Sequence, residues 1–194
     1  MLAPFERVVL WFHLTLAALL LCAGQAVPNR GLLLLAAAAI ALACVLLARL
    51  LVGRSARVTA LARAAAALVA VPMTFTLLGR YLPAIHAEPY EWVMREQDVA
   101  LLGRDAWWLL RGVLDHAWFT DLLQLVYASF YALPLLVGVA LAARGRWAEV
   151  EASTACVTFA FFVSYLGYFL WPATSPYLFV DEFVPVVGDR KSVV

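Results

Sequence analysis

The sequence predicts an all-α integral membrane protein with five spanning helices. Three observations predict it. First, 65% of the 194 residues are hydrophobic and only 14% are charged, against about a quarter charged in an ordinary soluble domain. Second, the apolar residues fall in five blocks long enough to cross a hydrocarbon core of roughly 30 Å. Third, the short loops on one side of these blocks are rich in arginine, as cytoplasmic loops are. A mean hydropathy of +0.90 excludes a soluble globular domain, a disordered tail and a disulfide-stapled secreted module. A net charge of +1 gives no electrostatic basis for binding nucleic acid.

The spans follow in order. The first covers residues 8–27 and stops at Val27-Pro28-Asn29-Arg30-Gly31, which reads as a tight turn. A signal peptide is the other reading of this stretch, but its basic flank is weak and a second span follows at once. The second covers residues 31–52. The third covers residues 63–82 with Pro72 inside it, and the fourth covers residues 119–142 with Pro134 inside it. Proline is tolerated in such helices because neighbouring groups satisfy the freed carbonyl. The fifth covers residues 152–171 and ends at Pro172.

Arginine sets the orientation. With the N-terminus in the cytoplasm, the inside holds Arg7, Arg49, Arg54, Arg57, Arg63, Arg144 and Arg146, and the outside holds Arg30, Arg80, Arg95, Arg104 and Arg111. Trp92, Trp107, Trp108, Trp118 and Trp171 then fall at or beyond the outer interface, where amphipathic rings are favoured. The outer segment, residues 83–118, divides into a polar part (86–98) and a mixed part (99–118). The mixed part interleaves Leu101, Leu102, Trp108 and Leu109 with Arg104, Asp105, Arg111 and Asp115. It predicts one helix lying along the outer membrane surface. Arg63, at the inner end of the third span, is expected to snorkel to the headgroups. Cys22, Cys44 and Cys156 lie inside apolar blocks without metal-type spacing and read as small buried residues.

The basic residues are almost all arginine, and the single lysine lies in Asp189-Arg190-Lys191-Ser192-Val193-Val194. This hexapeptide resembles the translation of one frame of a widely used short-read sequencing adapter. The expectation is a single membrane domain over residues 1–188, with a foreign tail at 189–194 that is excluded from fold reasoning. The Arg-, Ala- and Leu-rich composition suggests a bacterial source.

Two polar faces carry the chemistry. Asp121, Gln124, Tyr127 and Tyr131 fall within an arc of about 120° on the fourth span. Polar groups in a membrane helix are expensive unless they face the protein interior or water, so this face is expected to line the bundle interior or a cavity. It serves either interhelical hydrogen bonding or a pocket for a lipid headgroup. The fifth span carries Thr158, Phe161, Tyr165 and Tyr168 at helical spacing. It leaves the membrane through Trp171-Pro172-Ala173-Thr174-Ser175-Pro176-Tyr177, where two prolines enforce a stiff path.

In order and spacing, Asp121, Gln124, Tyr127, Tyr131 and Pro134, then Tyr165, Tyr168, Pro172, Ala173 and Pro176, resemble the inositol phosphorylceramide synthase-like branch of the type 2 phosphatidic acid phosphatase superfamily. Asp98-Val-Ala-Leu-Leu-Gly103 resembles that branch's outer-segment motif. The resemblance covers residues 98–177 and implies a six-helix phosphatase-type bundle, here incomplete. It implies transfer or hydrolysis of a phosphate ester on a lipid, with no metal or other cofactor. One histidine attacks phosphorus to form a phosphohistidine, and a second, oriented by an aspartate, serves as acid and base. The substrate-pocket candidates it marks are Asp121, Gln124, Tyr127, Tyr131, Tyr165, Tyr168, Pro172, Thr174, Ser175 and Pro176. Implied partners are membrane lipids and a lipid phosphate, in a bacterial inner membrane.

The family's Pro-Ser-x-His and His-x-x-x-Asp motifs do not occur in these residues, nor does an Arg-Pro phosphate motif. His13 reads as a packed residue, His86 as a solvated loop residue, and His116 follows Asp115 too closely on a helix to be oriented by it. No catalytic residue is assigned. The chain is therefore expected to be the N-terminal part of such an enzyme, inactive by itself. The alternative is a small non-enzymatic membrane protein, such as a transporter subunit or assembly factor, or one half of a split enzyme.

Overall fold

The computed structural model describes residues 2–22, 27–85, 90–104, 109, 112, 116–170 and 172. It is all-helical over these residues, with α1 at Pro4–Cys22, α2 at Arg30–Leu50, α3 at Ala56–Ile85, α4 at Glu91–Leu102, α5 at Ala117–Ala143 and α6 at Trp147–Leu170. Five of them, all but α4, are long and apolar enough to cross a membrane. The chain is a multi-pass membrane protein.

The turns sit where local chemistry puts them. Asn29 takes the left-handed conformation, and its carbonyl accepts from Leu33 N at 3.1 Å to open α2. Ser55 caps α3, accepting from Thr59 N on its carbonyl and from Val58 N on its hydroxyl. α3 therefore starts seven residues before the expected span. Gly145, at φ +70°, closes α5: Gly145 N bonds the Ala142 carbonyl and Arg146 N the Leu141 carbonyl. That paired pattern needs a residue tolerant of positive φ. α6 then begins at Trp147, five residues earlier than expected. Arg57, at the start of α3, lies over the Trp147 ring at 5.8 Å.

The described residues group into two compact units. The first comprises Met1–Ala87 and Pro134–Leu170, and its bundle is built by α1, α2, α3 and α6. Phe12 stacks on Phe162 at 4.4 Å and lies edge-on to Tyr165, while Phe5, Val9, Leu16, Leu20, Leu78 and Tyr81 complete the core. Cys44 is buried in this bundle, whereas Cys22 and Cys156 are exposed. The expectation of three buried cysteines holds for Cys44 alone.

The second unit comprises Glu88–Leu133 and Trp171–Val194. Its described part is α4 with the residues beside it, Leu109, Gly112, His116, the first half of α5, and Pro172. Of the helix expected over residues 99–118, residues 105–108, 110–111 and 113–115 lie outside the described residues, and Leu109 and Gly112 are helical. α4 covers Glu91–Leu102 and stops at Gly103, φ +76°, whose N bonds the Val99 carbonyl. Met94, Arg95, Glu96, Gln97, Ala100 and the leucines are good helix formers, and that preference reaches back through the stretch read as a polar loop. With 12 residues, α4 is about 18 Å long and too short to span.

Candidate functional site

The first polar face lies on α5. Asp121, Gln124, Tyr127 and Tyr131 do share one face, and the Tyr127 and Tyr131 hydroxyls meet at 3.3 Å with their rings edge to face. Ser129 is off that face and returns its hydroxyl to the Val126 carbonyl. Tyr127 is 68% and Tyr131 55% exposed, Asp121 and Gln124 are exposed too, and no described side chain of α5 is buried. The core of the first unit is filled from α1, α2, α3 and α6.

The tyrosines of α6 have a different environment. Tyr165 is buried and donates its hydroxyl to the Val71 carbonyl at 3.2 Å. Its ring lies against Phe12, Phe75, Phe161 and Phe162. Tyr168 stacks on Tyr165 and meets Phe75 edge-on. Thr158 is fully buried and returns its hydroxyl to the Thr154 carbonyl. In the first unit, then, Tyr165 and Tyr168 are members of an aromatic wall between α3 and α6. In the second unit, the Pro172 carbonyl accepts from Tyr90 N at 3.3 Å, which ties Pro172 to the residue before α4. Thr174, Ser175 and Pro176, like His86, Asp115 and residues 189–194, lie outside the described residues.

Two buried polar constellations escaped the reading of the sequence. In the first, Arg63 Nε donates to Glu6 Oε1 at 2.7 Å and Arg63 Nη1 to Glu151 Oε1 at 2.8 Å. The Glu6 side chain is 0% and that of Arg63 10% exposed. Arg63 does not snorkel, because the early start of α3 places it two turns inside the helix, and the early start of α6 brings Glu151 to it. One signal was available: from Arg7 to Ala87 there is no acid at all, so Glu6 is the sole carboxylate of α1, α2 and α3.

The second is His13. It is buried as expected, but not merely packed. Its Nδ1 lies 2.8 Å from the Val9 carbonyl, which can only accept, so Nδ1 carries the proton. Nε2 is left to accept from the Thr74 hydroxyl at 3.3 Å, linking α1 to α3. Both ring nitrogens are thus engaged. Replacing Thr74 by valine keeps the shape and leaves Nε2 without a donor. Unfolding in detergent should show a loss of about 1–2 kcal/mol, and a loss near zero would mean the 3.3 Å contact contributes nothing.

Among the described residues no group of three or more His, Cys, Asp or Glu side chains is clustered as a metal site. Neither His13 nor exposed His116 has a carboxylate partner among them. Residues 92–193, just over half of the chain, match the family model of the PAP2 superfamily. None of the curated proteins and none of the solved structures matches.

Proposed function

Since the chain belongs to the PAP2 superfamily, we propose that it is the N-terminal part of a lipid phosphatase or phosphotransferase of the inositol phosphorylceramide synthase-like branch. The observation that supports this reading is the order of Asp121, Gln124, Tyr127, Tyr131, Tyr165, Tyr168, Pro172 and Pro176, all inside the matched residues. In the intact enzyme a histidine supplied by the following segment attacks the phosphorus of a lipid phosphate ester. The P–O bond to the alcohol breaks, and a second histidine protonates the departing oxygen. Water or an acceptor alcohol then takes the phosphoryl group from the phosphohistidine. The Asp121–Tyr131 face contributes hydroxyl, amide and carboxylate groups at the outer headgroup level of a bacterial inner membrane, with the N-terminus in the cytoplasm.

The test is to read the source gene through the codon for Gly188. The frame is expected to continue into Pro-Ser-x-His and then His-x-x-x-Asp. In that full-length protein, D121N combined with Y127F should lower kcat/KM on a phospholipid or polyprenyl phosphate by about tenfold or more, roughly 1.4 kcal/mol of transition-state binding. A genuine stop after Val194, with no phosphatase activity in the purified chain, would sink the proposal. The non-enzymatic reading would then take its place.

A further inference from the structure

The Glu6–Arg63–Glu151 triad joins three helices at one point. α1, α3 and α6 all place their N-terminal turns at this end of the bundle, with α2 antiparallel between α1 and α3. Glu6 and Arg63 lie outside the family-matched residues, and Glu151 lies within them. As a source of stability the triad is poorly built. Two carboxylates face one guanidinium, and the second oxygen of Glu6, Oε2, is buried with no hydrogen-bond partner among the described residues. Taking three charged groups out of water is costly, and a well-packed apolar trio of similar volume generally does as well or better. What an apolar trio lacks is direction. Alanine, leucine and phenylalanine surfaces pack acceptably at several offsets, and between membrane helices no hydrophobic force selects one of them.

We infer that the triad is a register lock, and that Arg63 is the positioning residue that fixes how far α6 is inserted against α1 and α3. Sliding α6 by one turn moves Glu151 by about 5.4 Å, which breaks its bond to Arg63 and strands a buried charge. The correct offset sets the rest of α6. Tyr165, 14 residues on and about 21 Å along the helix, then meets the Val71 carbonyl. Phe162 meets Phe12. Polar groups buried in coiled coils set register in the same way, at a cost in stability. The lock is a property of the bundle and does not rest on the proposed activity.

The experiment uses the full chain with Cys22, Cys44 and Cys156 replaced by alanine. Trp11 and Phe159, which touch across α1 and α6 at their half-exposed edges, become one cysteine pair, W11C/F159C. W11C/V163C is the pair displaced by one turn. A short thiol-bridging reagent reads the ratio of native to displaced cross-linking. With the triad intact the native pair should be favoured by about tenfold or more. In E6M/R63M/E151M the protein should unfold at the same temperature as the parent or higher, while the ratio falls to about one to three. R63K, which keeps the charge but not the two-pronged geometry, should give an intermediate ratio. The lock is overturned if the triple variant keeps the parental ratio. It is also overturned if R63K behaves like the triple variant, or if the triple variant unfolds as readily as R63M alone, which would make the triad a stabilising device instead.

Discussion

Arg63→Met should destabilise the bundle by about 3–5 kcal/mol, the usual cost of removing one partner from a buried ion pair. The substitution keeps most of the side chain's volume, so the loss is electrostatic rather than steric. It leaves Glu6, fully buried, beside Glu151 with no cation between them. Equilibrium unfolding in detergent micelles, followed by circular dichroism, measures it. An arginine that snorkels to the headgroups would give less than about 1 kcal/mol, because exposed pairs are screened. The two accounts of Arg63 therefore differ by several-fold in a single measurement. A small loss would return Arg63 to the role its sequence position suggested.

Phe162→Ala should cost about 3–5 kcal/mol, in the range for emptying an aromatic site in a packed core. Phe162 is 0% exposed and stacks on Phe12 at 4.4 Å, with His13 and Tyr165 at its edges. Its removal opens a cavity where α1 meets α6, and the rings around it are held by hydrogen bonds to Val9, Thr74 and Val71. Those bonds limit how far the cavity can collapse. Phe159, three residues earlier and 48% exposed at the edge of the α1–α6 contact, is the control. Phe159→Ala should cost less than about 1 kcal/mol. Comparable losses at both positions would mean that α6 is not packed on the face described.

The candidate site was legible in part. That Asp121, Gln124, Tyr127 and Tyr131 share a face follows from the helical repeat, and the contact between the Tyr127 and Tyr131 hydroxyls agrees with it. What covers that face is not written in its own spacing. Polar groups on a membrane helix need a partner, but the partner comes from elsewhere in space. Tyr165 and Tyr168, grouped with that face by resemblance, proved to be wall residues of an aromatic core, with Tyr165 anchored on a backbone carbonyl.

The number of spans, their order and most of their turns were determined by the sequence alone. Hydrocarbon thickness sets a minimum length for an apolar block, and Asn29, Ser55 and Gly145 act within one or two residues of their own position. Such effects need no tertiary contact to be read. The fate of Arg63 and Glu6 was decided only by the tertiary structure. Whether a charge at a helix end reaches water or a partner depends on where two other helices begin. Glu6, Arg63 and Glu151 are 57 and 88 residues apart along the chain, and only the packing of α1, α3 and α6 brings them within hydrogen-bond reach.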